Sequence, residues 1–129
     1  MDSLSSKVKE IYAAISGLPA MSELFSDPNL KLTWSEMLGG PYGGVYNSLG
    51  ETLAGVFGRI GAEWDNFEFT PSGFHEADSA VTVEGTYTGV YKKTGKKVTA
   101  RVIHLWKMSE GRILIEQFTD TAMFWTAME

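Results

Sequence analysis

Cysteine is absent from the 129 residues, which removes disulfide frameworks, thiolate nucleophiles and cysteine-based zinc sites. Histidine is nearly as scarce. His75 and His104 are the only two, and there is no His-x-x-x-His pair or Asp/Glu-rich loop, so no metal and no cofactor is expected. Positive charge is also short: 11 Lys and Arg against 16 Asp and Glu leave a formal net charge of −5. An acidic surface of that kind repels nucleic acid. The one basic cluster, Lys92, Lys93, Lys96 and Lys97, flanks Thr94-Gly95 and reads as a solvated hairpin tip. No apolar run approaches the roughly 20 residues of a membrane span. The stretch from Ile11 to Ala20, which could pass for a signal region, is broken by Ser16, Gly17 and Pro19. The expectation is a cytoplasmic chain with no nucleic-acid or membrane partner.

What is present suits one domain over residues 1–129, long enough to bury a core without staples. Leu4, Val8, Ile11, Tyr12 and Ile15 recur at the helical period, preceded by serines as caps and stopped by Gly17. Pro19 opens a short turn from Ala20 to Phe25, ended by Asp27-Pro28. From Leu30 to Glu36 the pattern alternates, placing Leu30, Leu32, Trp34 and Glu36 on one side of a strand. The segment from Leu38 to Tyr46 contains Gly39-Gly40-Pro41-Tyr42-Gly43-Gly44, too flexible for a regular element and without phosphate-loop spacing. It reads as a loop that folds an aromatic over a pocket. Ser48 and Glu51 form a capping-box pair opening a helix through Leu53, Val56, Phe57 and Ile60. Gly55, Gly58 and Gly61 in that helix permit close packing on a sheet.

After Trp64 the pattern turns to strands: Phe67 to His75, Ala80 to Tyr91, Val98 to Met108 and Arg112 to Thr119, separated by turns at Ala77-Asp78, Thr94-Gly95 and Glu110-Gly111. A last helical turn, Thr121 to Met128, has Asp120 as its N-cap. Helices first and an antiparallel meander after give an α+β domain, with helices against one face of a curved sheet. A hairpin centred on Thr94-Gly95 sets Gly85 opposite His104, Tyr87 opposite Val102 and Val83 opposite Trp106. One centred on Glu110-Gly111 sets His104 opposite Gln117 and Trp106 opposite Ile115. His104 thus becomes the polar centre of an apolar face carrying Val81, Val83, Tyr87, Val102, Trp106 and Ile115, with a gap at Gly85 and an amide at Gln117. The other face, with Glu84, Thr86, Arg101, Ile103, Leu105, Glu116 and Phe118, is half apolar and fits a homodimer interface. Arg101 and Asp120 face each other there.

Taken in order over nearly the full length, the helix from Val8 to Ile15, the strand with Trp34, the Gly-Gly-x-Tyr segment, Phe67-Glu68-Phe69-Thr70-Pro71, Val83-Glu84-Gly85, His104-Leu105-Trp106, Gly111-Arg112-Ile113 and Asp120-Thr121-Ala122 resemble the SnoaL-like proteins. These belong to the nuclear transport factor 2-like superfamily with ketosteroid isomerase, limonene epoxide hydrolase and polyketide cyclases. The resemblance implies a cystatin-like cone, a curved antiparallel sheet wrapped around N-terminal helices to enclose a pocket, and a dimer through the outer sheet face. It matches Tyr12 to the tyrosine of ketosteroid isomerases and His104 to their protonated aspartic acid, two oxyanion donors. The isomerase base falls near Thr33-Trp34, where there is no carboxylate, and Glu36 is the nearest substitute. The hydrolase's Arg-x-Asp is replaced by Tyr87-Thr88-Gly89. Asp120 stands where a cyclase acid would be, if a bulge turns it inward.

The candidate catalytic residues are therefore His104, Tyr12, Asp120 and Glu36, with Trp34, Tyr46, Tyr87, Trp106 and Gln117 lining the pocket. Two readings stay open. One is an isomerase, cyclase or dehydratase moving a proton next to a carbonyl; the other is a homodimeric module that binds a hydrophobic small molecule without chemistry.

Overall fold

A computed structural model of the protein describes residues 4–13 and 25–129. Helix α1 (Leu4–Ala13) buries Val8 and Ile11 and carries Tyr12 at its inner edge, as the helical spacing requires. Its expected end at Gly17, and residues 20–24 of the expected turn, lie outside the described residues. Strand β1 (Lys31–Glu36) buries Leu32, Trp34 and Glu36 on one side, the side that alternation predicts. Part of the glycine-rich segment is regular after all: Gly44–Tyr46 forms β2, paired antiparallel with β1 so that Tyr46 faces Trp34. Its ladder to β1 supplies the order that composition alone does not suggest.

Helix α2 runs as Leu49–Thr52, a π-helical Leu53–Phe57 and Gly58–Glu63. Ser48 Oγ accepts the Glu51 backbone N–H at 3.0 Å, the cap half of the expected box. Gly55 lies directly beneath the Tyr46 ring, where any Cβ would collide. Strands β3 (Trp64–Ala77), β4 (Ala80–Tyr91), β5 (Lys97–Ser109) and β6 (Arg112–Thr119) follow as a meander, and α3 (Thr121–Met128) closes the chain. The result is an α+β fold around a curved, unclosed six-stranded sheet of order β2-β1-β6-β5-β4-β3. The sheet is not wholly antiparallel. Strand β1 runs parallel to β6, because no hairpin joins them and nothing forces reversal.

The β4–β5 hairpin corrects the expected register by two residues. Its loop has four residues, 92–95, rather than two: Tyr91 N–H donates to Lys96 O at 2.9 Å, Gly95 N–H donates to Tyr91 O at 2.8 Å, and Gly95 takes φ +72. Val83 therefore faces His104, Gly85 faces Val102 and Tyr87 faces Ala100. A two-residue shift preserves side-chain parity, so each residue keeps its face while its partner changes. At the other hairpin, Glu110 (φ 49) and Gly111 (φ 78) make the expected two-residue turn, and His104 does face Gln117.

The gap at Gly85 is filled. A Cβ there would sit 2.5 Å from the Phe69 ring and 2.6 Å from Thr70 O, and Phe69 uses that space to stack on His104 at 4.9 Å between centroids. Gly85→Ala is expected to cost about 1–3 kcal/mol by overpacking, measured as a lower urea midpoint. An unchanged midpoint would show that Phe69 can move away freely.

Candidate functional site

Inside the sheet, polar side chains from α1, β1, β4, β5 and β6 meet in one buried network. Trp106 Nε1–H donates to the Tyr12 hydroxyl at 3.1 Å. Tyr12 lies 2.6 Å from His104 Nδ1, and His104 Nε2 lies 2.8 Å from Gln117 Oε1 and 2.7 Å from the Tyr87 hydroxyl. Tyr87 O–H donates a short bond to the same Gln117 oxygen. Gln117 Nε2–H donates to Glu36 Oε2 at 2.5 Å, and Trp34 Nε1–H donates to Glu36 Oε1 at 2.9 Å. Gln117 Oε1 can only accept, so His104 carries its proton on Nε2 and accepts from Tyr12 through Nδ1. Among the described residues, no buried side-chain nitrogen or oxygen lacks a partner.

The electrostatics follow from burial. Desolvation brings His104 down to about 4, against a gain from the Gln117 bond, so the imidazole is neutral at pH 7. It brings Glu36 up to about 7, with the Trp34 and Gln117 donors pulling the other way. The Tyr12 and Tyr87 hydroxyls are pushed up by the same burial and keep their protons. Among the described residues no cation pairs with Glu36.

A small cavity of about 20 Å³ touches this network at Glu36, Tyr87 and Gln117. Its remaining wall comes from Met37, Gly40, Pro41, Tyr42, Ile60, Phe67, Thr119, Thr121 and Phe124. That is room for about one water. The lid over it, residues 37–43, is held on both sides. Trp125 Nε1–H donates to Gly39 O at 2.6 Å, while Tyr42 O–H donates to Glu63 at 3.0 Å and accepts from Trp64 Nε1–H at 2.9 Å. Arg59 stacks over the Tyr42 ring at 4.6 Å.

Of the four expected catalytic residues, three converge and one does not. Tyr12, His104 and Glu36 share the network, but Tyr12 and His104 are bonded to each other beneath aromatic rings and are not among the cavity's wall residues. Asp120 is on the other side of the sheet. Its carboxylate takes Arg101 Nε–H at 3.0 Å and the Arg101 backbone N–H at 3.3 Å, and no bulge turns it inward. It occupies the N-cap position of α3 without a side-chain capping bond, because Arg101 holds it. Of the expected lining residues, Tyr87 and Gln117 reach the cavity. Trp34 and Trp106 sit behind as donors, and Tyr46 packs on α2 with its hydroxyl donated to Tyr42 O at 2.8 Å. The aromatic folded over the cavity is Tyr42, the tyrosine of the Gly-Gly-Pro-Tyr run itself. Phe69, which stacks on His104, is a further site residue that its own sequence position does not single out; the signal for it is the adjoining Gly85, which permits the close approach.

The SnoaL-like domain model matches residues 16–115. The chain belongs to the SnoaL-like family. An NTF2-like (nuclear transport factor 2-like) protein from Burkholderia thailandensis E264 is 37% identical, with 100% of this chain and 99% of that one covered and a TM-score of 0.86. An NTF2-like protein of unknown function from Burkholderia pseudomallei K96243 is 22% identical over 98% of both chains, with a TM-score of 0.79. A Catenulispora acidiphila DSM 44928 protein with a ketosteroid isomerase-like fold, in complex with trimethylamine, is 17% identical over 74% of this chain and 71% of that one, with a TM-score of 0.62. A search of curated proteins finds no match. The family includes isomerases and cyclases.

The two shifted groups act oppositely on stability. Glu36, raised to about 7, contributes stability that is complete below the unfolded value of 4.5 and lost as pH rises through 7. His104, lowered to about 4, contributes stability that is complete above 6.5 and lost as pH falls through 4. In Glu36→Gln the first loss disappears. The variant should gain about 3 kcal/mol on the wild type between pH 4.5 and 7, read from urea unfolding at a series of pH values. A difference independent of pH would show that Glu36 is not raised.

Proposed function

We propose that this SnoaL-like protein is a proton-transfer enzyme acting next to a carbonyl of a small, largely apolar compound, of isomerase, cyclase or dehydratase type, with Glu36 as its base. The observation that carries the reading is Glu36: a buried carboxylate with no cationic partner among the described residues, at the edge of a cavity, held near the pH at which a general base works best. Its two neutral donors orient it without neutralising it. Phe67, Phe124, Ile60 and Pro41 supply apolar wall around it. A compound larger than water requires residues 37–43 to move, breaking the Trp125–Gly39 bond or the Tyr42 contacts. The chemistry so drawn uses side chains alone and no cofactor, and the reading places the chain in the cytoplasm. Among the described residues no helix is long and apolar enough to cross a membrane.

A second reading, a non-catalytic module binding a hydrophobic small molecule, draws on the engagement of Tyr12 with His104 and of His104 Nε2–H with Gln117, which leaves neither free as an oxyanion donor. Deuterium uptake separates the two. Incubating cyclic enones and 1,3-diketones in D₂O with the protein should give carbon-bound deuterium above background, lost by about 10²–10⁴-fold in Glu36→Gln. Equal uptake by the variant excludes Glu36 as base, and binding shifts without uptake favour the module.

The macromolecular partner in this reading is a second copy of the chain, through the outer sheet face. Ile103 and Phe118 are 39% and 47% exposed there, beside a cavity of about 470 Å³ whose lining also includes Met37, Glu84, Arg101 and Asp120. Light scattering should give a dimer at micromolar concentration, and Phe118→Asp a folded monomer. A monomeric wild type would overturn this.

A further inference from the structure

The hydrogen bonds of the buried network have only one consistent direction, and Trp106 fixes it. An indole N–H donates and cannot accept. Tyr12 oxygen therefore accepts from Trp106, and its own proton must go to His104 Nδ1. The reverse arrangement would have both Trp106 and His104 donating to Tyr12, leaving the Tyr12 proton without an acceptor among the described residues. With Nδ1 accepting, the neutral ring donates from Nε2 to Gln117 Oε1, where Tyr87 also donates. Two donors on that oxygen hold the amide with its NH₂ toward Glu36. Trp34, a second donor-only group, points at the other Glu36 oxygen. Donors thus converge from both ends, and the group where they meet must accept twice. An ionised carboxylate does so; a protonated one would have to turn its own O–H away from both donors.

We propose that Trp106, Tyr12, His104 and Gln117 act as positioning residues, a directional hydrogen-bond chain that holds Glu36 in its ionised, base-competent form. This rests on the reading of Glu36 as base. It also gives His104 a role other than substrate contact: its Nε2–H keeps the Gln117 amide from rotating. Among the described residues, the titratable or charged groups facing Glu36 are Tyr87 from β4 and, across the cavity, Tyr42, behind which stand Glu63 and Arg59 of α2. His104 and Tyr12 reach it only through Gln117. Arg101 and Asp120 pair on the far face of the sheet.

Tyr12→Phe tests the chain at a distance of three hydrogen bonds without touching Glu36. Without that hydroxyl His104 Nδ1 loses its donor and Tyr87 alone is bound to hold the Gln117 oxygen; the amide turns its oxygen toward Glu36 more readily, and the protonated carboxyl gains an acceptor. The Glu36 titration midpoint, followed by ¹³C NMR of its carboxyl carbon in the full chain, should rise by about one pH unit, a tenfold change in acid constant. An unchanged midpoint overturns the proposal. Should the variant not fold, ¹⁵N NMR of wild-type His104 decides: protonation on Nε2 at pH 7 supports the directed chain, and protonation on Nδ1 overturns it. If Glu36→Gln leaves deuterium uptake unchanged while Tyr12→Phe moves the midpoint, the base reading falls and the directed chain stands.

Discussion

The bond from Gln117 Nε2 to Glu36 Oε2 joins the two halves of the interior, and most of the buried polar side chains are arranged around keeping it directed. Glu36 is held at the end of β1, which reaches the sheet centre only because β1 lies parallel against β6. Gln117 projects from β6 on the same side, and His104 stands opposite it on β5. Helix α1 supplies Tyr12, and β4 supplies Tyr87. Five elements therefore contribute to one string of contacts, and a break in any of them leaves a buried group unpaired, at about 1–3 kcal/mol for a neutral one. That requirement ties the placement of α1 to the state of a carboxylate on a distant strand.

Packing enforces the geometry that the hydrogen bonds need. One apolar cluster gathers Val8, Ile11, Leu32, Trp34, Val83, Trp106 and Ile115 below α1; a second gathers Trp64, Tyr87, Val102, Phe124 and Ala127 below α3. His104 lies between them, with Phe69 stacked on one side and the Trp34 ring edge-on at 5.6 Å. Rings crowd out water, which strengthens each polar contact and makes each unpaired group more costly. The glycine at 85 belongs to this arrangement, because it lets Phe69 approach the sheet closely enough to cover the imidazole.

How much of this was legible in the sequence depends on which physical signal carried it. Period-two alternation assigns Leu32, Trp34 and Glu36 to one face, and His104, Trp106, Ile115 and Gln117 to the same face, without reference to partners. The His104–Gln117 pair was legible too, because Glu110-Gly111 is a two-residue turn with positive φ at both positions. The β4–β5 partners were not. Four polar residues, Lys92 to Gly95, accommodate a four-residue loop as readily as a two-residue one, and the choice moves every partner by two. The parallel β1–β6 pairing was equally hidden, since no local turn encodes it. Asp120 shows the limit of position alone: an aspartate before a helix is a natural cap, yet Arg101 across the ladder offers charge as well as hydrogen bonds. The direction of the network was also beyond reach, for it depends on side-chain distances among residues up to 94 positions apart.

Burying Glu36, with no cation beside it among the described residues, disfavours the folded state at neutral pH, and burying His104 disfavours it at acid pH. Between about pH 4.5 and 6.5 the two slopes oppose each other, since one group takes up the proton on folding that the other releases. Neither shift is explained by packing needs alone. An apolar side chain in place of Glu36 would relieve the desolvation, though it would leave Trp34 and Gln117 with donors and no acceptor. A carboxylate kept so deep, met among the described residues by neutral donors and placed at the edge of a cavity, is the kind of destabilising arrangement that chemistry at the site would justify and stability would not.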